Sequence, residues 1–214
     1  EEVDAKILNK EKHTIRMRIP IDGDISFEDL VYGKINTKFS ELDDFIIARS
    51  DGSPTYNLTV VVDDNDMNIS HVIRGEDHIS NTPKQMLIYK ALEWTIPKFG
   101  HLPMILGSDG KRLSKRHGAK GTSEYKDLGY LPDTLINYLA LLGWNPGNDD
   151  EIFDFNYLKE NFSLDKVNKK SAVFDNTKLE WVSSQNIFKI SAAKLVDIAS
   201  EFDPTWCGEG HSLE

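Results

Sequence analysis

A single cysteine, Cys207, stands among 214 residues. One thiol excludes a disulfide within the chain and any cysteine-rich zinc site, so a reducing, cytoplasmic compartment is expected. No apolar run approaches the ~20 residues that cross a bilayer, and no membrane partner is expected. The acidic opening Glu1-Glu2-Val3-Asp4 is not a secretory signal. Positive charge is scarce: 25 Lys and Arg face 35 Asp and Glu, a formal net charge of −10. That balance argues against indiscriminate coating of nucleic acid, while leaving room for one local basic surface that grips a polyanion. No Gly-rich Walker loop precedes a Lys-Ser/Thr pair, and no nucleophile elbow occurs. His13, His71 and His101 lie apart from each other and from Cys207, so no zinc site is expected. Internal repeats and low-complexity tracts are absent too. With 39% hydrophobic and 28% charged residues, what remains is a globular chain long enough for one large or two small cores.

The most informative segment concentrates the scarce charge. Lys111, Arg112, Lys115, Arg116 and Lys120 fall within ten positions, with glycines at 107, 110, 118 and 121 around them. Read in isolation, such a run is a basic surface loop. A bendable cationic loop with the Ser114 hydroxyl between its basic residues also suits a triphosphate, whose charge the cations neutralise.

Before that loop the pattern is strand-rich, then mixed. Thr14–Ile19 alternates, Asp22-Gly23-Asp24 reads as a turn, and Leu30–Ile35 and Asp44–Arg49 read as strands, the second closed by Ser50-Asp51-Gly52. The next segment is ambiguous. Ser53-Pro54 resembles a capped helix start, yet Thr59-Val60-Val61-Val62 is a β-branched run that favours a strand. Ser70–Ile73 is strand-like and runs into Arg74-Gly75-Glu76-Asp77-His78, after which a helix is expected from about Asn81-Thr82-Pro83 to Trp94. Beyond the loop no convincing strand occurs, and helices are expected near 132–142, 154–162, 175–186 and 191–202, with Asp175 and Ser191 as N-caps. Asn145–Asp150 is a loop.

A charged cluster between a strand end and a helix start is where open α/β sheets place ligands. Arg74 offers a guanidinium for carboxylate or phosphate, while Asp77 and His78 offer groups for a ribose or an amine. The bland reading is a solvated turn with internal ion pairs. Tyr56 is a core aromatic by default and a phenol donor if it meets a ligand. Asp63, Asp64 and Asp66 lack the Gly and Glu of a calcium loop and read as a solvated helix end or turn.

Taken together, these strings resemble a class I aminoacyl-tRNA synthetase of the glutamyl type. Arg112-Leu113-Ser114-Lys115-Arg116 resembles the KMSKS signature, followed by His117-Gly118. Arg49 to Asn57, Val61-Val62-Asp63-Asp64, His71 to His78, Asn81-Thr82-Pro83, Leu128 to Pro132 and Leu142-Gly143-Trp144 continue the match in order, over roughly residues 14 to 187. The resemblance tips 54–64 toward helix. It implies an α/β fold, the second half of a Rossmann-like catalytic domain at 46–121. This would be preceded by the end of an acceptor-stem-binding insertion at 1–45 and followed by a helical stem-contact region and the start of an anticodon-binding part at 122–214. Tyr56 and Arg74 would bind L-glutamate, and Asp77, His78, Arg112 and Lys115 would bind ATP. Lys115 and Ser114 would stabilise the triphosphate during adenylate formation. Mg²⁺ would arrive with ATP, with no metal ligand in this chain. Partners would be ATP, L-glutamate and the glutamate tRNA, with a cytoplasmic, monomeric full-length enzyme.

The HIGH motif of the first half of the nucleotide fold does not occur, and the chain begins with Glu in mid-pattern. The expectation is therefore a piece of a longer enzyme, inactive alone. Trp206 to His211 matches no family string. The rivals are a glutaminyl-type enzyme, a truncated homologue that glutamylates a tRNA base, and a non-catalytic tRNA-binding module. The Val61 to Asp64 and Arg74 to His78 strings favour the glutamyl type.

Overall fold

The computed structural model describes residues 2–9, 11–114 and 120–203. It divides into two compact units, Glu1–Leu102 and Pro103–Glu214.

The first unit opens with helix α1 (Glu2–Leu8), then strand β1 (Ile15–Arg16). Strands β2 (Asp24–Asp29) and β3 (Gly33–Lys38) form an antiparallel hairpin. The turn expected at 22–24 gives way to β2 one residue early, and the strand expected at 30–35 begins three residues later. Gly33, where the connecting turn enters β3, has φ 79, a conformation glycine adopts without strain. Strand β4 (Ile46–Ala48) pairs antiparallel with β1 and is only half-buried.

The ambiguous segment is helix α2 (Tyr56–Asp66), in agreement with the resemblance. It does not start at Ser53-Pro54. Arg49 N–H donates to the Ser53 carbonyl at 2.8 Å, and Pro54 bridges to Ala48, so these residues extend the β4 turn. The β-branched run is helical because Val61 is fully buried against Ile88 and Tyr89, and packing outweighs intrinsic propensity.

Strand β5 (His71–Gly75) leads through a 3₁₀ segment (Glu76–Asn81) into helix α3 (Thr82–Ala91), with Pro83 in its first turn. The helix ends before Trp94. Glu93 takes a positive φ of 57, and Trp94 N–H returns to the Tyr89 carbonyl at 2.9 Å, a left-handed helix stop. Strand β6 (Lys98–Leu102), which the sequence pattern does not announce, then enters the sheet between β2 and β5. The order is β3-β2-β6-β5, with β2, β6 and β5 parallel. Ile19, Ile25, Met86, Leu87 and Phe99 form the core beneath it.

The second unit contains strands β7 (Ile105–Leu106), before the basic segment, and β8 (Ala172–Val173), paired in parallel; β8 runs against the expectation that no strand follows that segment. Helices follow the sequence pattern: α5 (Pro132–Leu141), α6 (Phe155–Asn161), α7 (Asn176–Phe188) and α8 (Ala192–Phe202). Asp175 accepts from Thr177 N–H at 2.8 Å and Ser191 from Lys194 N–H at 3.4 Å, as N-caps do. A short helix α4 (Thr122–Asp127) was not expected; the Glu124 carboxylate accepts from the Gly121 N–H at its start. Tyr138, Leu142, Leu179 and Val182 make this unit's core.

Candidate active site

Parallel strands β2, β6 and β5 end on the same side, and their carboxyl ends carry Asp29, His101 and Arg74. Register does the first part of the work: Arg74 on β5 lies directly opposite His101 on β6. The half-buried Arg74 guanidinium donates from Nε to His101 Nε2 at 3.2 Å. Its Nη2 donates to Thr82 Oγ1 at 2.8 Å, Gln85 Oε1 at 2.9 Å and the His78 carbonyl at 3.4 Å. Gln85 in turn donates to Asn57 Oδ1 at 3.2 Å, tying α3 to α2.

These four acceptors are neutral groups, and the Tyr56 phenol adds a further side-chain hydrogen bond to Arg74. Among the described residues no carboxylate comes within ion-pair distance of its guanidinium; Asp64 and Asp77 act on it only through their longer-range charge. Burial pulls the Arg74 pKa below its ordinary value, opposed by Tyr56 and by those two aspartates. An arginine remains charged despite such a shift. Among the described residues the site thus holds a fixed positive charge with no carboxylate paired directly to it, a charge that suits an anionic ligand.

Tyr56, first residue of α2, is 49% exposed and is therefore not the core aromatic of the default reading. Its ring lies 5.9 Å from that of His78, and its hydroxyl is 3.5 Å from His78 Nδ1. Asn81 Nδ2 also approaches His78 Nδ1, at 3.1 Å. His78 Nε2 and Asp77 Oδ2 are 4.0 Å apart, too far for a hydrogen bond. Asp77 sits where the backbone is tight: a Cβ placed on Gly75 would lie 2.5 Å from Asp77 Oδ1. Tyr56, Arg74, Asp77 and His78 are thus brought together. The Asp64 carboxyl is part-buried on α2 rather than solvated, and burial raises its pKa.

In the second unit Arg112, Leu113 and Ser114 leave the return arm of a tight turn. Gly107 N–H donates to the Lys111 carbonyl at 2.8 Å and Leu113 N–H to the Ile105 carbonyl at 2.8 Å. Gly110 has φ 73, and Lys111 N–H is held by Asp109 Oδ1 at 3.0 Å. The early part of the basic segment is therefore pinned by hydrogen bonds rather than loose. Lys115 and Arg116 lie outside the described residues. Among those described, no group of three or more His, Cys, Asp or Glu is arranged to hold a metal ion, and no helix is long and apolar enough to cross a membrane.

Sequence reasoning missed Asp29, Thr82, Gln85 and His101 as parts of this site. Thr82 reads as a helix start and His101 as an isolated histidine. The one available signal was that a polar residue in a short apolar strand, as in Lys98-Phe99-Gly100-His101-Leu102, needs a buried partner.

The family model described as class I tRNA synthetases (E and Q), catalytic domain, matches residues 1–181. A glutamate–tRNA ligase of Nitrosospira multiformis is 49% identical over 191 residues, 89% of this chain and 41% of that protein. The glutamate–tRNA ligase 1 of Caldicellulosiruptor saccharolyticus is 52% identical over 176 residues, 82% of this chain and 36% of that protein. A crystal structure of a glutamate tRNA ligase from Elizabethkingia meningosepticum, in complex with its amino acid, superposes with a TM-score of 0.85 at 32% identity. That superposition covers 100% of this chain and 45% of the other. The chain therefore spans less than half the length of these relatives.

Proposed function

Because this chain belongs to the catalytic-domain family of the class I tRNA synthetases for glutamate and glutamine, we propose that it forms part of the active site of a cytoplasmic glutamyl-tRNA synthetase. The observation that carries the reading is the half-buried Arg74 guanidinium, held by neutral acceptors only, beside Tyr56 at the carboxyl ends of parallel strands. In this reading Arg74 pairs with a carboxylate of L-glutamate, and Tyr56 supplies a phenol to the same substrate. Asp77 and His78 lie against the adenosine. Arg112, Ser114 and Lys115 of the KMSKS-type segment stabilise the triphosphate. Mg²⁺ enters as the counter-ion of ATP.

The chemistry needs no protein nucleophile. A glutamate carboxylate oxygen attacks the α-phosphorus of ATP, the bond to the bridging oxygen breaks, and pyrophosphate leaves. The glutamyl group of the adenylate then passes to a ribose hydroxyl at the 3′ end of the tRNA, releasing AMP. Positioning and charge stabilisation supply the acceleration. In this reading residues 1–45 are the end of an acceptor-stem-binding insertion, 46–121 the second half of the catalytic domain, and 122–214 a helical stem-contact region with the start of an anticodon-binding part; the boundary between the two compact units falls earlier, at Leu102/Pro103.

The test is tRNA-dependent ATP–pyrophosphate exchange by the natural full-length protein, with glutamate or glutamine as the amino acid. Exchange with glutamate alone is expected, and Lys115→Ala should slow it far more than it raises the glutamate KM. Exchange with glutamine alone would move the assignment to the glutaminyl branch. Folded protein without any exchange would point to a non-catalytic tRNA-binding module.

A further inference from the structure

We propose that His101 is a positioning residue for Arg74: locked by Asp29 as its Nδ1–H tautomer, it presents Nε2 as the acceptor that fixes the plane in which the Arg74 guanidinium meets the substrate carboxylate. The inference rests on the assignment of Arg74 as the glutamate partner.

Asp29 and His101 side chains are both 0% exposed, and Asp29 Oδ2 lies 2.6 Å from His101 Nδ1. The carboxylate is itself held at the end of β2. Its Oδ1 accepts from the backbone N–H groups of Val31 at 2.9 Å, Tyr32 at 2.9 Å and His101 at 3.3 Å. Burial works to raise the Asp29 pKa, yet these hydrogen bonds and the His101 ring together hold it below the ordinary value. An ionised Asp29 has no proton to give, so the proton in this contact belongs to His101 Nδ1.

The other ring nitrogen is then settled by its neighbours. Arg74 Nε is only ever a donor, so His101 Nε2 accepts from it. The Thr82 hydroxyl, 3.2 Å from the same nitrogen, accepts from Arg74 Nη2 and is free to donate to Nε2. A neutral imidazole is compatible with these contacts, its one Nε2 lone pair facing the Arg74 N–H and shared with the Thr82 hydroxyl. Burial supports that state, pushing the His101 pKa down despite the pull of Asp29. The ring is also clamped, stacked on Phe99 at 11° and met edge-on by Phe27.

An Asp–His pair that only stapled β2 to β6 would end at the imidazole. Here the chain of hydrogen bonds continues to the residue in register on the next strand. Contacts at Nε and Nη2 point in two directions, which fixes the orientation of the guanidinium and turns its remaining N–H groups toward Tyr56, the other residue assigned to the substrate. A charge-assisted hydrogen bond from those remaining N–H groups to a carboxylate depends on that orientation.

The experiment measures glutamate KM, ATP KM and kcat in pyrophosphate exchange, with melting temperature alongside, on the natural full-length protein. His101→Asn keeps an amide donor for Asp29 but has no acceptor at the Nε2 position; glutamate KM should rise about tenfold, the loss of one charge-assisted hydrogen bond, with ATP KM little changed. His101→Gln places an amide oxygen near that position and should recover part of the loss. Asp29→Asn forces the ring proton onto Nε2, against the Arg74 N–H, and should raise glutamate KM as His101→Asn does. Arg74→Lys is the reference variant. If it raises glutamate KM while His101→Asn does not, the positioning role is overturned and the Arg74 assignment survives. Equal losses in His101→Asn and His101→Gln, shared between both substrates and tracking melting temperature, also overturn it in favour of a structural staple. If Arg74→Lys leaves glutamate KM unchanged, the Arg74 assignment itself fails.

Discussion

Replacing Arg74 by lysine keeps the charge and removes the fork. The native side chain spreads donors over two directions, to His101 on one side and to Thr82 and Gln85 on the other. A lysine has a single nitrogen at the end of its stem. It can keep the Thr82 or Gln85 contact, or reach a ligand, but it cannot reproduce the planar arrangement. The loss at the substrate is one charge-assisted hydrogen bond from an oriented guanidinium, about 1.5–3 kcal/mol, or about 10- to 150-fold in glutamate affinity. Fold stability should fall little, since the abandoned acceptors are neutral and Thr82 and His101 retain each other at 3.2 Å. Exchange kinetics at varied glutamate and saturating ATP read the first effect, and a thermal melt reads the second. An unchanged glutamate KM, or an equal rise in ATP and glutamate KM, would refute the argument.

The remaining predictions probe other contacts. Gly75→Ala has a backbone that accepts alanine (φ −65) but sets a Cβ 2.5 Å from Asp77 Oδ1, so the carboxylate must swing away. ATP KM should rise severalfold with melting temperature preserved; an unaltered ATP KM would remove Asp77 from the nucleotide site. Tyr138→Phe in the second unit deletes a hydroxyl that donates to the Asp175 carbonyl and accepts from its N–H, both at 2.8 Å. A loss of about 1–3 kcal/mol is expected, seen as a lower urea midpoint at constant slope; an unshifted midpoint would show that water satisfies Asp175. Stability should also depend on pH with a definite sign. His101 has a folded pKa below 6.5, so the unfolded chain binds more protons below that pH and acid favours unfolding. Its contribution is full above about pH 6.5 and declines as pH falls toward the folded pKa, while that of Asp29 is lost at lower pH, below 3.8. Urea unfolding across this range should show the decline, and His101→Asn should remove its first part; the same slope in both proteins would contradict the buried-neutral assignment.

Much of the second unit was legible because its signals are local. Asp175 and Ser191 cap the helices they precede, and Pro132 opens α5. The strings around Tyr56, Arg74, Asp77 and His78 were legible as a cluster, since most lie within one strand end and its following turn. Strand β6 was not, because five residues with two polar members carry no periodicity that can be told from a loop. The direction of α2 was hidden too: its β-branched run favours a strand until Val61 has Ile88 and Tyr89 to pack against.

By itself the sequence determined the chemical groups, the N-caps at Asp175 and Ser191, the concentration of positive charge in one segment and the family strings that order them. Only the tertiary structure decided that His101 is a partner of Arg74 and not an isolated ring. That depends on two residues 27 positions apart in sequence being brought together when β5 and β6 pair in one register. A slip of one residue would turn His101 to the opposite face of the sheet and take its nitrogen away from the arginine. The string around His101 says at most that the ring needs a buried partner; nothing local in Asp29 or His101 says which, because the low-dielectric interior that makes their hydrogen bonds obligatory exists only once the sheet has formed.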